Sequence, residues 1–168
     1  MQRRREAPFA AGGCFRAGRF VRAIVLAAAI MAAQSIAYSA SAKLTLGSTT
    51  ITFPAADPDA VPMIAATENP VQVGVVVSGS ASTVSQLSVM AGGDLISGAD
   101  RISISNITWT AQGAGFVSGT LSSTSSQLVG QWMGKANVIG DLRFWLANSW
   151  SYAAGTYSQN LVFTLIAY

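Results

Sequence analysis

Asp57, Asp59 and Glu68 fall within one proline-bounded stretch and form the one constellation in the chain with the residue types of a metal site. Carboxylates one residue apart can present two oxygens on one face of a loop, and calcium takes about six to eight oxygen ligands. No EF-hand or glycine-rich repeat loop accompanies these acids, so a solvated, proline-fixed loop is the competing reading. Elsewhere the inventory is thin. The chain holds no histidine and a single cysteine, Cys14, which leaves out His- and Cys-based nucleophile pairs and metal sets. A serine–lysine pair needs a buried lysine, whereas Lys43 and Lys135 sit beside a predicted cleavage point and in a glycine turn. The remaining acids from Lys43 onward, Asp94, Asp100 and Asp141, lie mostly in turn contexts rather than as a facing pair suited to glycoside hydrolysis. The expectation is a protein that is not an enzyme and has no cofactor, with calcium at Asp57, Asp59 and Glu68 as the one candidate.

Aromatic residues carry a second kind of chemistry. Trp109 and Trp132 are followed by Phe144, Trp145, Trp150, Tyr152 and Tyr157. Exposed indoles stack on sugar rings, while buried ones supply large apolar area to a core. Leu142, Phe144 and Leu146 alternate with Arg143 and Trp145, which puts Trp145 on the charged face of its strand. Trp109 and Trp132 are therefore assigned to the core, and Trp145 and Trp150 are the candidates for stacking a ligand. Asn106-Ile107-Thr108 matches a glycosylation sequon but lies inside a predicted strand.

The elements that must position these residues read as strands. Val71–Ser78, Gln86–Met90, Arg101–Thr110 and Leu161–Ala167 are rich in β-branched and aromatic residues, with no helical period between them. Alternation in the third fails near Asn106, which predicts a bulge or a change of face before Thr108. Turn formers separate the strands at Gly79-Ser80, Gly92-Gly93-Asp94, Ser97-Gly98-Ala99-Asp100 and Gln112-Gly113-Ala114-Gly115, and the second and third are expected to need positive φ. Ser118–Ser126, with Leu121 embedded and Leu128-Val129 following, reads as an antiparallel hairpin. Leu44 and Leu46 have one parity and Ile51 and Phe53 the other, so the first strand should change sheet partner at Gly47-Ser48. Pro54, Pro58, Pro62 and Pro70 make residues 54–70 a stiff, non-strand loop across one end.

Charge is divided along the chain. The formal net charge is +3, yet Arg3, Arg4, Arg5, Arg16, Arg19 and Arg22 crowd the start, and the stretch from Lys43 onward is net acidic. No basic footprint for nucleic acid remains there. The basic segment leads into the apolar run Ala23–Ala33 and then Ala40-Ser41-Ala42, the pattern of a signal peptide cleaved after Ala42. That run is short of the roughly 20 residues of a spanning helix. Residues 1–42 are thus read as a signal peptide and 43–168 as a single domain without a transmembrane helix, destined for the periplasm, the cell surface or the exterior. Short strands at this spacing predict an all-β, Ig-like antiparallel sandwich of about seven to nine strands.

The stretch Ala147–Tyr157 (ANSWSYAAGTY), running into alternating Leu161, Phe163 and Leu165, resembles the ends of exported bacterial β-sandwiches. These include WxL-type surface domains, spore coat protein U-like proteins and chaperone–usher pilins. Ile104–Thr110 (ISNITWT) and Gly92-Gly93-Asp94-Leu95 add a likeness to exported proteins of Gram-negative bacteria. Trp145-Leu146 is not a Trp-x-Leu signature, so wall binding is not carried over. The resemblance implies a structural or adhesive surface unit, pilin-like in using its edge strands and partnered by copies of itself or by surface proteins. The edges in question are Leu44, Leu46, Ile51 and Phe53 at one end and Leu161, Phe163 and Leu165 at the other. A carbohydrate-binding module and a small outer-membrane β-barrel are the alternatives, although Leu161, Phe163 and Leu165 leave no polar face for a barrel lumen.

Overall fold

The computed structural model describes residues 40–168; all but the last three residues of the expected signal peptide lie outside them. Twelve strands occur among the described residues, arranged as two antiparallel sheets packed face to face. They are β1 (Ser41–Leu46), β2 (Thr50–Phe53), β3 (Met63–Ala65), β4 (Val71–Ser78), β5 (Val84–Ala91) and β6 (Leu95–Ser97), followed by β7 (Asp100–Ile102), β8 (Ile107–Gln112), β9 (Gly119–Thr120), β10 (Gln127–Met133), β11 (Ala136–Ala147) and β12 (Tyr157–Ala167). One sheet runs β1-β4-β11-β8-β9 with β3 also on β11, and the other runs β10-β5-β12-β6-β7 with β2 also on β12. The all-β sandwich expected from the sequence is therefore formed, and the closed single sheet of a barrel is not. No helix among the described residues is long and apolar enough to cross a membrane.

Period-two burial builds the core. In β4, Val71, Val73, Val75 and Val77 point inward, and in β11, Leu142, Phe144 and Leu146 meet them with Trp109 of β8. From the other sheet come Leu87, Val89, Leu95, Leu161 and the β2 residues Ile51 and Phe53, all at most 4% exposed.

The chain changes sheet often. After β1 pairs with β4, the Gly47 N–H donates to the Gln72 carbonyl at 2.8 Å, and β2 then pairs with β12 in the opposite sheet, which is the switch the parity shift predicts. The expected cleavage after Ala42 would fall within β1, whose first pair is Ser41 with Ser78.

Four sequence expectations are corrected. Arg101–Thr110 is not one strand: a 3-10 turn at Ile104–Asn106 carries the chain from β7 in one sheet to β8 in the other. The Asp94 carboxylate fixes that turn by accepting the Ile104 N–H at 3.0 Å. Residues 54–70 are not wholly non-strand, because β3 pairs with Trp145–Ala147 at the end of β11. The segment around Leu121 is a hairpin only at its base, where Phe116 bridges Gly130 and the Val117 N–H donates to the Val129 carbonyl at 2.8 Å; β9 pairs with β8, and β10 with β5 in the other sheet. Gly98 has positive φ, as expected, whereas Gly92 and Gly93 do not and instead lie on the bend between β5 and β6. These breaks are why the strands are shorter and more numerous than seven to nine.

The ends of the described chain share one pole. Ser41 pairs with Ser78, Tyr168 exchanges both main-chain hydrogen bonds with Val84, and the short turn after Ser78 joins the two places. The loops after β2 and β11 lie at the opposite pole.

Candidate functional site

The first candidate site is the lateral seam between β1 and β12. Leu161 donates its N–H to Thr49 at 2.7 Å, on the β2 side, while Tyr168 bonds to Val84, on the β5 side. Main-chain groups alternate along an antiparallel strand. The N–H and C=O groups of Phe163, Leu165 and Ala167 therefore point away from β5. The β2 pairing ends at Asn160, and among the described residues no strand pairs with that side of β12 further on. β1 is close by but is committed to β4 in the other sheet. The same gap leaves Leu44, Leu46, Phe163, Leu165 and Ala167 only half-buried, although they point inward and pack on the core. The structure thus brings together most of the edge residues that the sequence marks.

Ile51 and Phe53 behave differently. Their side chains are fully buried, and the outer edge of β2 is closed at Thr52. Its N–H donates to the Glu68 carboxylate at 2.8 Å and its carbonyl accepts from Thr67 N–H at 2.8 Å. A side chain and a loop here do what a neighbouring strand would do. The sequence offered no sign of that closure, because Glu68 lies 16 residues from Thr52.

The second candidate site is a cleft of about 400 Å³ at the loop pole. Phe53–Pro58 form one wall, Asn148–Gly155 contribute the other, and Ile64, Ile102, Leu146 and Tyr157 lie beneath. Asn148 ties the walls together: its amide donates to the carbonyls of Ala56 at 3.1 Å and Val61 at 3.0 Å. Trp150 is 69% exposed, and its indole N–H donates to Asp59 Oδ1 at 3.2 Å, which fixes the ring across the cleft rim. The Tyr157 hydroxyl donates to the Ala153 carbonyl at 2.9 Å. Burial, and secondarily the Asp100 carboxylate, push this phenol above its ordinary value. Trp145 does not line the cleft; it is half-buried on β11, paired with Ala65 and Thr108, so the two candidate stacking tryptophans do not share a site. Trp109 lies in the core, as expected. Trp132 is only half-buried, edge-on to Phe116 with ring centroids 5.0 Å apart.

The three candidate calcium ligands are spread over different tasks. Asp57 accepts the Asp59 N–H at 2.9 Å within its own turn, Asp59 holds Trp150, and Glu68 holds Thr52. No group of three His, Cys, Asp or Glu side chains suited to a metal ion occurs among the described residues.

Fold and geometry together define a two-sheet all-β sandwich with one open lateral seam and one aromatic cleft at its loop pole. The chain matches no family model, no curated protein and no solved structure.

Proposed function

We propose that the chain is an exported, non-enzymatic structural or adhesive unit of a bacterial surface, which assembles with further copies of itself by strand pairing along the seam. The observation that carries this reading is the free side of β12 from Phe163 to Ala167, beside a row of half-buried apolar side chains. An added strand gains main-chain hydrogen bonds from such an edge, and alternate side chains enter the apolar gap. The thin catalytic inventory and the leader pattern of residues 1–42 support a structural, exported role in the same direction.

The test is Ala167→Pro. The Ala167 N–H points away from β5, so proline there removes a donor from the free edge and none from the β5 ladder. The wild-type chain, exported and run unboiled on an SDS gel, is expected to give a ladder that collapses on boiling. The variant is expected to run as a monomer, with a melting temperature within a few degrees of wild type. A wild-type chain that is monomeric throughout, or a variant that assembles unchanged, would defeat the proposal.

A further inference from the structure

We infer that the cleft at the loop pole is a binding site for a short, uncharged glycan, with Trp150 as the platform on which a pyranose ring stacks. Two observations point to that chemistry. The indole is exposed yet held by Asp59, so its face is offered to a ligand without the cost of ordering it on binding. Sugar rings carry an apolar C–H face that matches an aromatic plane, and a ring edge of hydroxyls that needs polar partners. Those partners are at hand: Asp57 has a carboxylate oxygen beyond the one used in its own turn, and the Tyr152 hydroxyl makes no hydrogen bond among the described residues.

Charge narrows the ligand. Among the described residues, Asp57 is the one charged residue lining the cleft, and neither lysine nor arginine lines it. An anionic sugar or a phosphate would meet a carboxylate with no compensating cation, which is unfavourable in a partly apolar enclosure. The volume falls within the range of about 300–1,000 Å³ of small-molecule sites. Asn148 braces the two walls independently of any ligand, so the cleft is formed in advance.

The test is calorimetric titration of the purified protein with maltotriose, cellotriose and chitotriose, alongside trigalacturonate and tetramethylammonium. At least one neutral trisaccharide is expected to bind, and Trp150→Ala should weaken it by at least about tenfold. Because Trp150 is so exposed, that variant should melt with the wild type, which separates lost stacking from lost folding. Asp59→Asn retains an acceptor for the indole N–H and is expected to bind within about threefold of wild type. Ala167→Pro should bind as wild type does, since the seam is at a distance from the cleft. Binding by none of the neutral sugars, preference for trigalacturonate or tetramethylammonium, or full affinity in Trp150→Ala would each overturn the inference.

Discussion

Asn69 does the work of a missing piece of strand. Between β3 and β4, both partners of β11, the strand pairing lapses opposite Phe144, where the one main-chain bond runs from the Ala66 N–H to the Phe144 carbonyl at 3.0 Å. The Asn69 amide donates to the Phe144 carbonyl at 2.7 Å, and its oxygen accepts the Phe144 N–H at 2.7 Å. Removing the side chain leaves a main-chain donor of the central strand unsatisfied. Asn69→Ala should therefore cost about 2 kcal/mol in urea unfolding, although the residue is itself only half-buried. Tyr157 offers a prediction with a pH signature. Its raised pKa means that the folded state favours the neutral phenol. That contribution is complete below about pH 10 and is lost as pH rises through the folded value. Unfolding midpoints measured from pH 8 to 11 should fall more steeply in wild type than in Tyr157→Phe. Equal slopes would mean that the phenol stays solvated. Neither role is legible in the sequence: Asn69 has the look of a turn residue before a proline, and Tyr157 that of the last residue of a turn motif.

At the scale of elements, the sequence makes period-two burial plain. Val71–Ser78 is a strand over the very residues its pattern predicts, and Leu142, Phe144 and Leu146 alternate inward as their parity requires. The switch at Gly47 is legible because a single uninterrupted strand keeps one parity toward the core, and a change of parity across a glycine breaks that rule. The crossing at Ile104–Asn106 is only half legible. Failed alternation marks the place, but a bulge and a change of sheet disturb the pattern alike, and the capping Asp94 is ten residues away. Glycine notches are hidden for a similar reason. Trp132 lies over Gly115 and Gly130, and its indole N–H donates to the Ala114 carbonyl at 2.8 Å. A methyl group at Gly115 would collide with that ring at a φ of +81°, whereas at Gly98, with φ of +59°, it would meet nothing. Gly115→Ala should cost about 2 kcal/mol or more and shift tryptophan fluorescence, while Gly98→Ala should cost about 1 kcal/mol and leave the spectrum alone. Similar losses at both positions would assign the cost to backbone conformation alone.

For the molecule as a whole, the two candidate surfaces are separable. The seam is partly legible, since alternating apolar residues mark both of its borders. Which of the marked edges stays open is not, because Glu68 closes the outer edge of β2 from across the loop. The cleft is less legible still: Trp150 stands out in the sequence, but its partner Asp59 lies in a loop far from it in the chain, and Asn148 ties that loop to its own through the Ala56 and Val61 carbonyls. Their independence gives a joint expectation. Ala167→Pro should abolish assembly and spare sugar binding, and Trp150→Ala should do the reverse; loss of both properties in either variant would mean that one surface depends on the other.

The shared position of Ser41 and Tyr168 has a mechanical consequence. A pull applied between Ser41 and Tyr168 acts across the strands rather than along them. Load then falls on the bonds between β1 and β4 one pair at a time, as in opening a zip, until it reaches the crossover at Gly47. A strand bonded into the seam along β12 would run beside its neighbour, and tension along it would be shared by all its bonds at once. Joined to another copy in that way, the molecule would resist stretching better than it does alone.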